Sequence, residues 1–299
     1  MCKPWRGIFA IVVTPFNDEL KLDEAALRRQ IEFCIERGAA GLVGPANAGE
    51  FATMSDDERR RWIRIVTEAA AGRVPVIAAT THGHRVPALA LSRYAQEVGA
   101  DGIMAMPPHI LHPDAGGCYE YYSALNDALC IPICVQNFMG PIGTPMSADL
   151  LARMCSELEY VQYLKEETLP EPRAISRTLA AAGDACRGVF GGQGGIYMID
   201  EWRRGACGNM PASQSVDVHA QIWHLLEQKN EAAARALFNR LLPLLNFERM
   251  HGVAVYKQVF LRRGVFTSTA TRIPGAFLDQ KDLLEFDAIW REIEPLLAD

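Results

Sequence analysis

The sequence predicts a (β/α)8 barrel, a TIM barrel of the α/β class, followed by a C-terminal helical extension. Eight short apolar runs rich in Val, Ile and Phe are separated by amphipathic stretches, and successive runs lie roughly 20 to 35 residues apart, as a strand and a crossover helix require. The runs are continuously apolar, which is typical of parallel strands covered on both faces. Eight such units close into a barrel of about 250 residues, and the chain has 299.

The apolar runs are the predicted strands in chain order. They occupy residues 7–16, 41–45, 74–81, 102–108, 131–137, 161–167, 188–192 and 207–210. A doubly wound open sheet is the alternative, but such a sheet usually has a glycine fingerprint after its first strand. Here that strand ends in Thr14-Pro15-Phe16, so the closed barrel is favoured.

Helices are predicted between the strands, and two of them have clear start signals. Ser55 with Glu58 three residues later forms a capping box, and Ser147 followed by Asp149 also indicates a helix start. The predicted helices include residues 23–37, 55–71, 86–98 and 147–158.

The last part of the chain is helical throughout. No linker rich in Pro, Gly and Ser separates it from the barrel. We therefore expect a barrel over residues 1–228 that carries the active site, and a helical extension over residues 229–299 packed on it. The helices of this extension are predicted at residues 231–245, 248–262 and 282–297.

Composition excludes several classes of partner. With 30 Lys+Arg against 36 Asp+Glu, the net charge is -6, so no general attraction to nucleic acid or to an anionic membrane surface is expected. Pro15 and Asp18 interrupt the N-terminal apolar run, and no stretch approaches the ~20 apolar residues of a membrane span. The eight cysteines include no C-x-x-C pair, as expected for reduced thiols in a cytoplasmic protein.

Lysine is scarce, and only Lys165 lies at the carboxyl end of a predicted strand, where barrel enzymes place their functional residues. Alternation along the sixth strand puts Tyr163, Lys165 and Glu167 on one face. If that face is the barrel interior, the amine is partly desolvated and suited to attack a carbonyl carbon, as Schiff-base enzymes require. The alternative is an outward lysine paired with a carboxylate on a covering helix. Lys257 lies within a predicted helix, where a solvent-facing side chain is expected.

Several segments, taken together, resemble one enzyme family. In their order, and over nearly the whole chain, they are similar to the dihydrodipicolinate synthase and N-acetylneuraminate lyase family. The resemblance implies a barrel fold, usually a homotetramer, that needs no cofactor and in which a strand-six lysine forms an imine with a small 2-oxo acid. Lys165 matches that lysine. The segments are GIFAIVVTPF (7–16), GPANAGE (44–50), SDDER (55–59), Met106-Pro107-Pro108 and YLKEE (163–167).

Three positions depart from the common pattern of that family. Asn47 and Ala48 replace a Thr-Thr or Ser-Thr pair, and Gln136 replaces the strand-five tyrosine that relays protons. An amide has no usable pKa near neutrality, so Gln136 cannot take over that relay. Residues 140–143 also lack the arginine that binds a second carboxylate in true synthases. Lysine biosynthesis is therefore not expected.

The same positions resemble one branch of the family, which dehydrates 2-keto-3-deoxy sugar acids such as L-2-keto-3-deoxyarabonate. Besides Asn47-Ala48 and Gln136, the resemblance rests on Lys165 to Thr168 and on PLLNFERMHG (243–252). In the implied reaction the lysine imine acidifies the C3 proton, the enamine expels the C4 hydroxyl, and hydrolysis releases a dicarbonyl product.

Glu167 is the candidate acid and base of this reaction, because it lies on the same strand face as Lys165. A water held by Gln136 and Asn47 is the alternative relay. A salt bridge at the barrel rim is the alternative role for Glu167.

Other strand ends supply candidate substrate contacts. Asn47 and Ala48 stand at the matching binding positions, and Gly191 and Gly192 offer space and N–H groups to a substrate carboxylate. His82 and His109 are candidates to contact hydroxyl groups of the substrate. These histidines, with His84 and His112, also suggest a metal site, but their spacing fixes no acidic or third histidine ligand, so no metal is expected.

Three alternatives to the dehydratase stay open. A retro-aldolase of the same family would cleave the C3–C4 bond to give pyruvate and an aldehyde. A metal-dependent barrel enzyme would lose activity to a chelator. A non-catalytic barrel would bind 2-oxo acids without turnover.

Overall fold

A computed structural model describes residues 4–297 and confirms the barrel. Eight parallel strands pair in chain order, and the eighth closes on the first. One of the eight cysteines, Cys2, and one of the lysines, Lys3, lie outside the described range. The strands are β1 (Gly7–Ile11), β2 (Gly41–Gly44), β3 (Val76–Ala79), β4 (Gly102–Ala105), β5 (Ile133–Phe138), β6 (Val161–Glu167), β7 (Gly188–Gly191) and β8 (Gly208–Asn209).

Most strands are shorter than their apolar runs, because burial continues beyond the hydrogen-bonded ladder. Val12 and Val13, for example, are fully buried although β1 ends at Ile11. β6 has the predicted bounds, and it is the longest strand.

Helices alternate with the strands, as predicted. The Ser55 capping box is present: the Glu58 amide donates to Ser55 Oγ at 3.2 Å, and the Ser55 amide donates to Glu58 Oε2 at 3.0 Å. The helices around the barrel are α1 (Glu24–Glu36), α2 (Asp56–Ala70), α3 (Arg85–Glu97), α4 (Ala115–Ala128), α5 (Ala148–Glu157), α6 (Glu171–Ala182), α7 (Met198–Arg203) and α8 (Val216–Glu227).

The C-terminal part contains α9 (Glu231–His251), α10 (Val253–Arg262) and α11 (Gln280–Ile293). The predicted break between residues 245 and 248 is wrong. The turn lies instead at Gly252, whose φ of 54° is in the left-handed region that favours glycine. The boundary that we proposed at residue 228 falls between α8 and α9.

Two apolar layers surround the strands. Inward side chains such as Phe9, Met104, Tyr163 and Phe190 fill the barrel, and the ring of Trp5 stacks on Tyr163 with 4.4 Å between centroids. Outward side chains pack with the helices in one large cluster that also includes residues of α9 and α11. No helix within residues 4–297 combines the length and apolarity that crossing a membrane requires.

Lys257 does not face solvent, so that expectation is wrong. Its side chain is fully buried and paired with Glu50, with 2.5 Å between Nζ and Oε1. The helical pattern of α10 could not indicate this, because the partner lies more than 200 residues earlier in the chain.

Candidate active site

Lys165 points into the barrel from the carboxyl-terminal half of β6. Its side chain is 6% exposed, and Nζ lies 3.2 Å from Glu167 Oε1. Two residues earlier, Tyr163 fills the barrel interior, so the three side chains share one face. The opposite face carries Glu166, whose carboxylate accepts from the amide nitrogen of Asn137 at 3.0 Å. The predicted alternation along this strand is thus present in the structure.

Glu167 is held by two further donors. Gln136 Nε2 donates to Oε2 at 2.7 Å, and the Gln193 amide donates to Oε1 at 3.2 Å. Gln136 stands beside Lys165 because the two are paired in the register of β5 and β6. Lys165, Gln136 and Glu167 therefore form one contiguous polar group in an otherwise apolar barrel, with the amine and the carboxylate in contact.

Gly191, the last residue of β7, and Gly192 after it provide space. A methyl group at Gly192 would overlap the carboxylate of Glu167, and one at Gly191 would overlap that of Glu201. The Gly192 amide donates to Glu171 Oε1 at 2.7 Å, so it does not point at the cavity. The predicted contact of these glycines with a substrate carboxylate stays a prediction, while their role in making room for Glu167 is visible.

Glu171 and Glu201 form a buried carboxyl pair beneath this loop. Asn209 Nδ2 donates to Glu201 Oε2 at 2.7 Å, and Glu171 accepts from the Gly192 amide. Burial raises the pKa of Glu201 to about 7, and burial together with the nearby charge of Glu201 raises the pKa of Glu171 well above its usual value. The two carboxyl groups thus support the β7 loop by accepting hydrogen bonds from its backbone and from Asn209.

The loop after β2 lines the opposite side of the cavity. Asn47 and Ala48 begin a 3-10 helix (Asn47–Gly49), and the first amides of a helix have no intrahelical acceptor. Asn47 Oδ1 is buried without a hydrogen-bond partner in the described chain. Both residues line the cavity together with Lys165 and Glu167.

His82 and His109 are not among the residues that line this cavity. His82 Nε2 lies 3.2 Å from Asp56 Oδ1 at the start of α2. His109 packs edge-on against Phe51, and burial lowers its pKa. Their contact with substrate hydroxyls stays a prediction. Within residues 4–297, no group of three or more His, Cys, Asp or Glu side chains is arranged to hold a metal ion.

Sequence reasoning missed the wall that the C-terminal helices contribute. Leu245, Glu248, Arg249 and Gly252 of the α9 region and Tyr256 of α10 line the same cavity of about 260 Å³. The spacing of the first four, at i, i+3, i+4 and i+7, puts them on one helix face. The misplaced helix break hid this face, although the segment 243–252 carried part of the family resemblance.

The charges suit an anionic 2-oxo acid. Burial raises the pKa of Glu248 to about 8, so this carboxyl group is largely neutral at pH 7. Of the other charged lining residues, Lys165 and Arg249 are cations and Glu167 is an anion. The cavity therefore has a surplus of positive charge, which attracts an anion. It also has a buried amine next to a carboxylate, as well as neutral hydrogen-bonding groups. An amine can attack a carbonyl carbon, and a carboxylate beside it can then transfer protons.

The chain is similar to known proteins over most of its length. The model of the dihydrodipicolinate synthetase family matches residues 4–293. An L-2-keto-3-deoxyarabonate dehydratase from Azospirillum brasilense is 36% identical over 297 residues, covering 98% of this chain and 96% of the relative. A 4-hydroxy-tetrahydrodipicolinate synthase from Brucella abortus is 32% identical over 247 residues, covering 80% and 81%.

A solved structure agrees in fold. The dihydrodipicolinate synthase from Rhodopseudomonas palustris superposes with a TM-score of 0.89 at 25% identity, covering 96% of this chain and 97% of that one. Sequence and fold agree over nearly the whole length of the chain. The chain is therefore a member of the dihydrodipicolinate synthetase family.

Proposed function

We propose that the protein is a Schiff-base hydro-lyase that dehydrates a 2-keto-3-deoxy sugar acid, with Lys165 as the nucleophile. The observation that carries the proposal is the buried contact of Lys165 Nζ with Glu167 Oε1 at 3.2 Å, with Gln136 on the other carboxylate oxygen. The 36% identity to a dehydratase over 98% of the chain supports the choice of reaction and substrate class. The reaction belongs to carbohydrate metabolism.

Binding begins with the substrate carboxylate at the amides of Asn47 and Ala48, which start a short helix at the cavity wall. Lys165 Nζ then attacks the C2 carbonyl, and the carbonyl oxygen leaves as water to give the imine. The attack leaves protons on the nitrogen to be removed, and Glu167 Oε1, 3.2 Å from Nζ, is placed to accept one.

Proton transfer is assigned to Glu167. The carboxylate removes a proton from C3, and the electron pair forms the C2–C3 double bond of the enamine. The enamine nitrogen then restores its double bond to C2, the electron pair of the C2–C3 double bond forms the C3–C4 double bond, and the C4–O bond breaks. The leaving hydroxyl takes the proton from Glu167 and departs as water. Water adds to C2, releases Lys165, and the unsaturated 2-oxo acid rearranges to a dicarbonyl compound, with a net loss of one water. Gln136 keeps the Glu167 carboxylate in place during these steps.

The test is reductive trapping. Borohydride added with L-2-keto-3-deoxyarabonate or with pyruvate is expected to add the mass of the ligand to the peptide that contains Lys165 and to no other. Trapping on another peptide, or on none, overturns the proposal. Lys165→Met is expected to lose both trapping and turnover, and Lys21→Met, which changes an exposed lysine, to retain both.

Product analysis separates the remaining alternatives. A dehydratase yields one dicarbonyl compound per substrate, whereas a retro-aldolase yields pyruvate and an aldehyde. If L-2-keto-3-deoxyarabonate gave one pyruvate per substrate, the protein would be an aldolase and not a dehydratase. Binding of 2-oxo acids without trapping or turnover would favour the non-catalytic barrel, and loss of activity to a chelator would favour the metal enzyme.

We also propose that the chain forms a homotetramer in the cytoplasm. Ile110 and Leu111, after β4, are 72% and 82% exposed, and exposed apolar side chains that lie together are typical of subunit contacts. The seven described cysteines are free thiols, as in a reducing compartment. Light scattering coupled to gel filtration is expected to give four times the 33.0 kDa chain mass, and Leu111→Asp is expected to reduce that mass. A wild-type protein that elutes as a monomer would contradict the assembly.

A further inference from the structure

We propose that Glu248 and Tyr256, on the C-terminal helices, form a subsite that hydrogen-bonds the hydroxyl groups at the far end of the substrate. This inference rests on the proposed function and deepens it. According to this inference, residues outside the barrel make the enzyme prefer a 2-oxo acid with several hydroxyl groups to one without them.

One carboxyl oxygen of Glu248 accepts a hydrogen bond within the protein, and the other does not. Its side chain is buried, with 4% exposure, and Gln214 Nε2 donates to Oε1 at 2.5 Å. Oε2 has no hydrogen-bond partner within residues 4–297, and the residue lines the cavity of Lys165. Oε2 can therefore make a hydrogen bond with a ligand that enters this cavity.

Tyr256 presents a second unpartnered group to the same cavity. Its ring packs against the small apolar cluster that includes Val13 and Phe260, as Ala48 does. Its hydroxyl has no hydrogen-bond partner in the described part of the chain, although the residue lines the cavity. Burial, and then the nearby carboxyl groups of Glu248 and Glu167, raise the pKa of Tyr256, so the phenol stays protonated and able to donate.

The turn at Gly252 brings these two groups together. Glu248 is four residues before it and Tyr256 four residues after it, so each lies about one helical turn from the bend. Gly252 itself lines the cavity, and its backbone conformation favours glycine. The bend thus turns one face of each helix toward the same space.

The groups match the chemistry of a sugar-acid tail. A neutral carboxyl group and a phenol each both donate and accept hydrogen bonds, as do the hydroxyl groups of the substrate. The substrate carboxylate is placed at Asn47 and Ala48 and its C2 carbon at Lys165, which leaves the tail for the C-terminal helices. A plain 2-oxo acid such as pyruvate has no hydroxyl groups that could satisfy Glu248 and Tyr256.

The experiment compares two ligands on one set of variants. Borohydride trapping with pyruvate tests the part of the site that binds the carboxylate and the C2 carbon. Turnover of L-2-keto-3-deoxyarabonate tests that part together with the proposed subsite for the hydroxyl groups. Tyr256→Phe and Glu248→Leu are each expected to raise KM for the sugar acid about 3- to 10-fold, as loss of one neutral hydrogen bond predicts. The pyruvate concentration that gives half-maximal trapping is expected to stay unchanged.

Two further variants make the result specific. Glu248→Gln retains donors and an acceptor of similar shape and is expected to restore most of the affinity that Glu248→Leu loses. Tyr119→Phe removes an exposed hydroxyl that is hydrogen-bonded to Glu157. This variant is expected to change neither the KM for the sugar acid nor the pyruvate concentration that gives half-maximal trapping. A purely structural role of Glu248 would weaken pyruvate trapping and sugar-acid turnover together.

The outcomes separate this inference from the proposed function. If wild-type protein is trapped by pyruvate but Tyr256→Phe and Glu248→Leu keep the wild-type KM for the sugar acid, the subsite is overturned and the Schiff-base function stands. An equal loss for both ligands also overturns the subsite. If the wild-type protein is trapped by neither ligand, the proposed function itself fails.

Discussion

Glu50 and Lys257 form an ion pair in the protein interior, with both side chains fully buried and 2.5 Å between Oε1 and Nζ. Glu50 directly follows the 3-10 helix that begins with Asn47, while Lys257 is next to Tyr256 on α10. Glu50 Oε2 also accepts from the amides of Arg272 at 2.7 Å and Ile273 at 3.2 Å. The pair therefore ties two walls of the cavity to each other.

Removing one member of this pair is expected to destabilise the protein strongly. Lys257→Met leaves the Glu50 carboxylate buried without its counter-charge, so the free energy of unfolding should fall by about 3 to 5 kcal/mol. Urea denaturation measures this change. The double variant with Glu50→Gln is expected to recover part of the loss, because no uncompensated charge remains.

A matched control is Lys21→Met, which removes an exposed pair with Glu19 and should leave the urea midpoint in place. If Lys257→Met were as stable as this control, the ion pair would not hold the two walls together.

The strands and the position of Lys165 could be predicted from the sequence because both depend on local patterns. Continuous apolar runs mark buried parallel strands, and the two-residue period of β6 places Lys165 and Glu167 on one face. The partners of these side chains depend on the closed barrel and are not local. The role of Lys257 and the contribution of Glu248 to the cavity arise from packing of the extension on the barrel, which no sequence period encodes.

Glu167→Gln is expected to slow dehydration about 100- to 10,000-fold, because an amide cannot accept the C3 proton. Gln has the shape to keep the contact with Gln136, so the site should stay assembled and pyruvate trapping on Lys165 should persist. Steady-state turnover and trapping by mass spectrometry measure the two effects. Glu159→Gln, at an exposed position, is the control. Full turnover by Glu167→Gln would remove Glu167 from the acid and base role.

Gly192→Ala is expected to act like a mild form of that variant. A methyl group at this position overlaps the Glu167 carboxylate, which Gln136 and the Gln193 amide hold from other sides. A fall in kcat larger than the change in KM is the expected result.

Gly116→Ala is the control for this substitution. Gly116 lies in α4, where an added methyl group meets only ordinary contacts and favours the helix. Equal kcat values for Gly192→Ala and Gly116→Ala would show that the carboxylate has room to move without consequence.

The buried carboxyl group of Glu248 is expected to make stability depend on pH. Burial raises its pKa from 4.5 to about 8, so between these values the folded protein keeps a proton that the unfolded chain has released. The free energy of unfolding therefore falls as pH rises through this window, by up to about 1.4 kcal/mol per pH unit for one proton, and the decline ends above about pH 8.

Glu248→Gln carries no titrating group at this position, so its stability relative to wild type should increase from pH 5 to pH 8. Urea denaturation across this range tests the prediction, with Glu120→Gln at an exposed position as the control. A stability difference between Glu248→Gln and wild type that did not vary with pH would mean that Glu248 is ionised in the folded protein, and its neutral form could then not donate a hydrogen bond to a substrate hydroxyl.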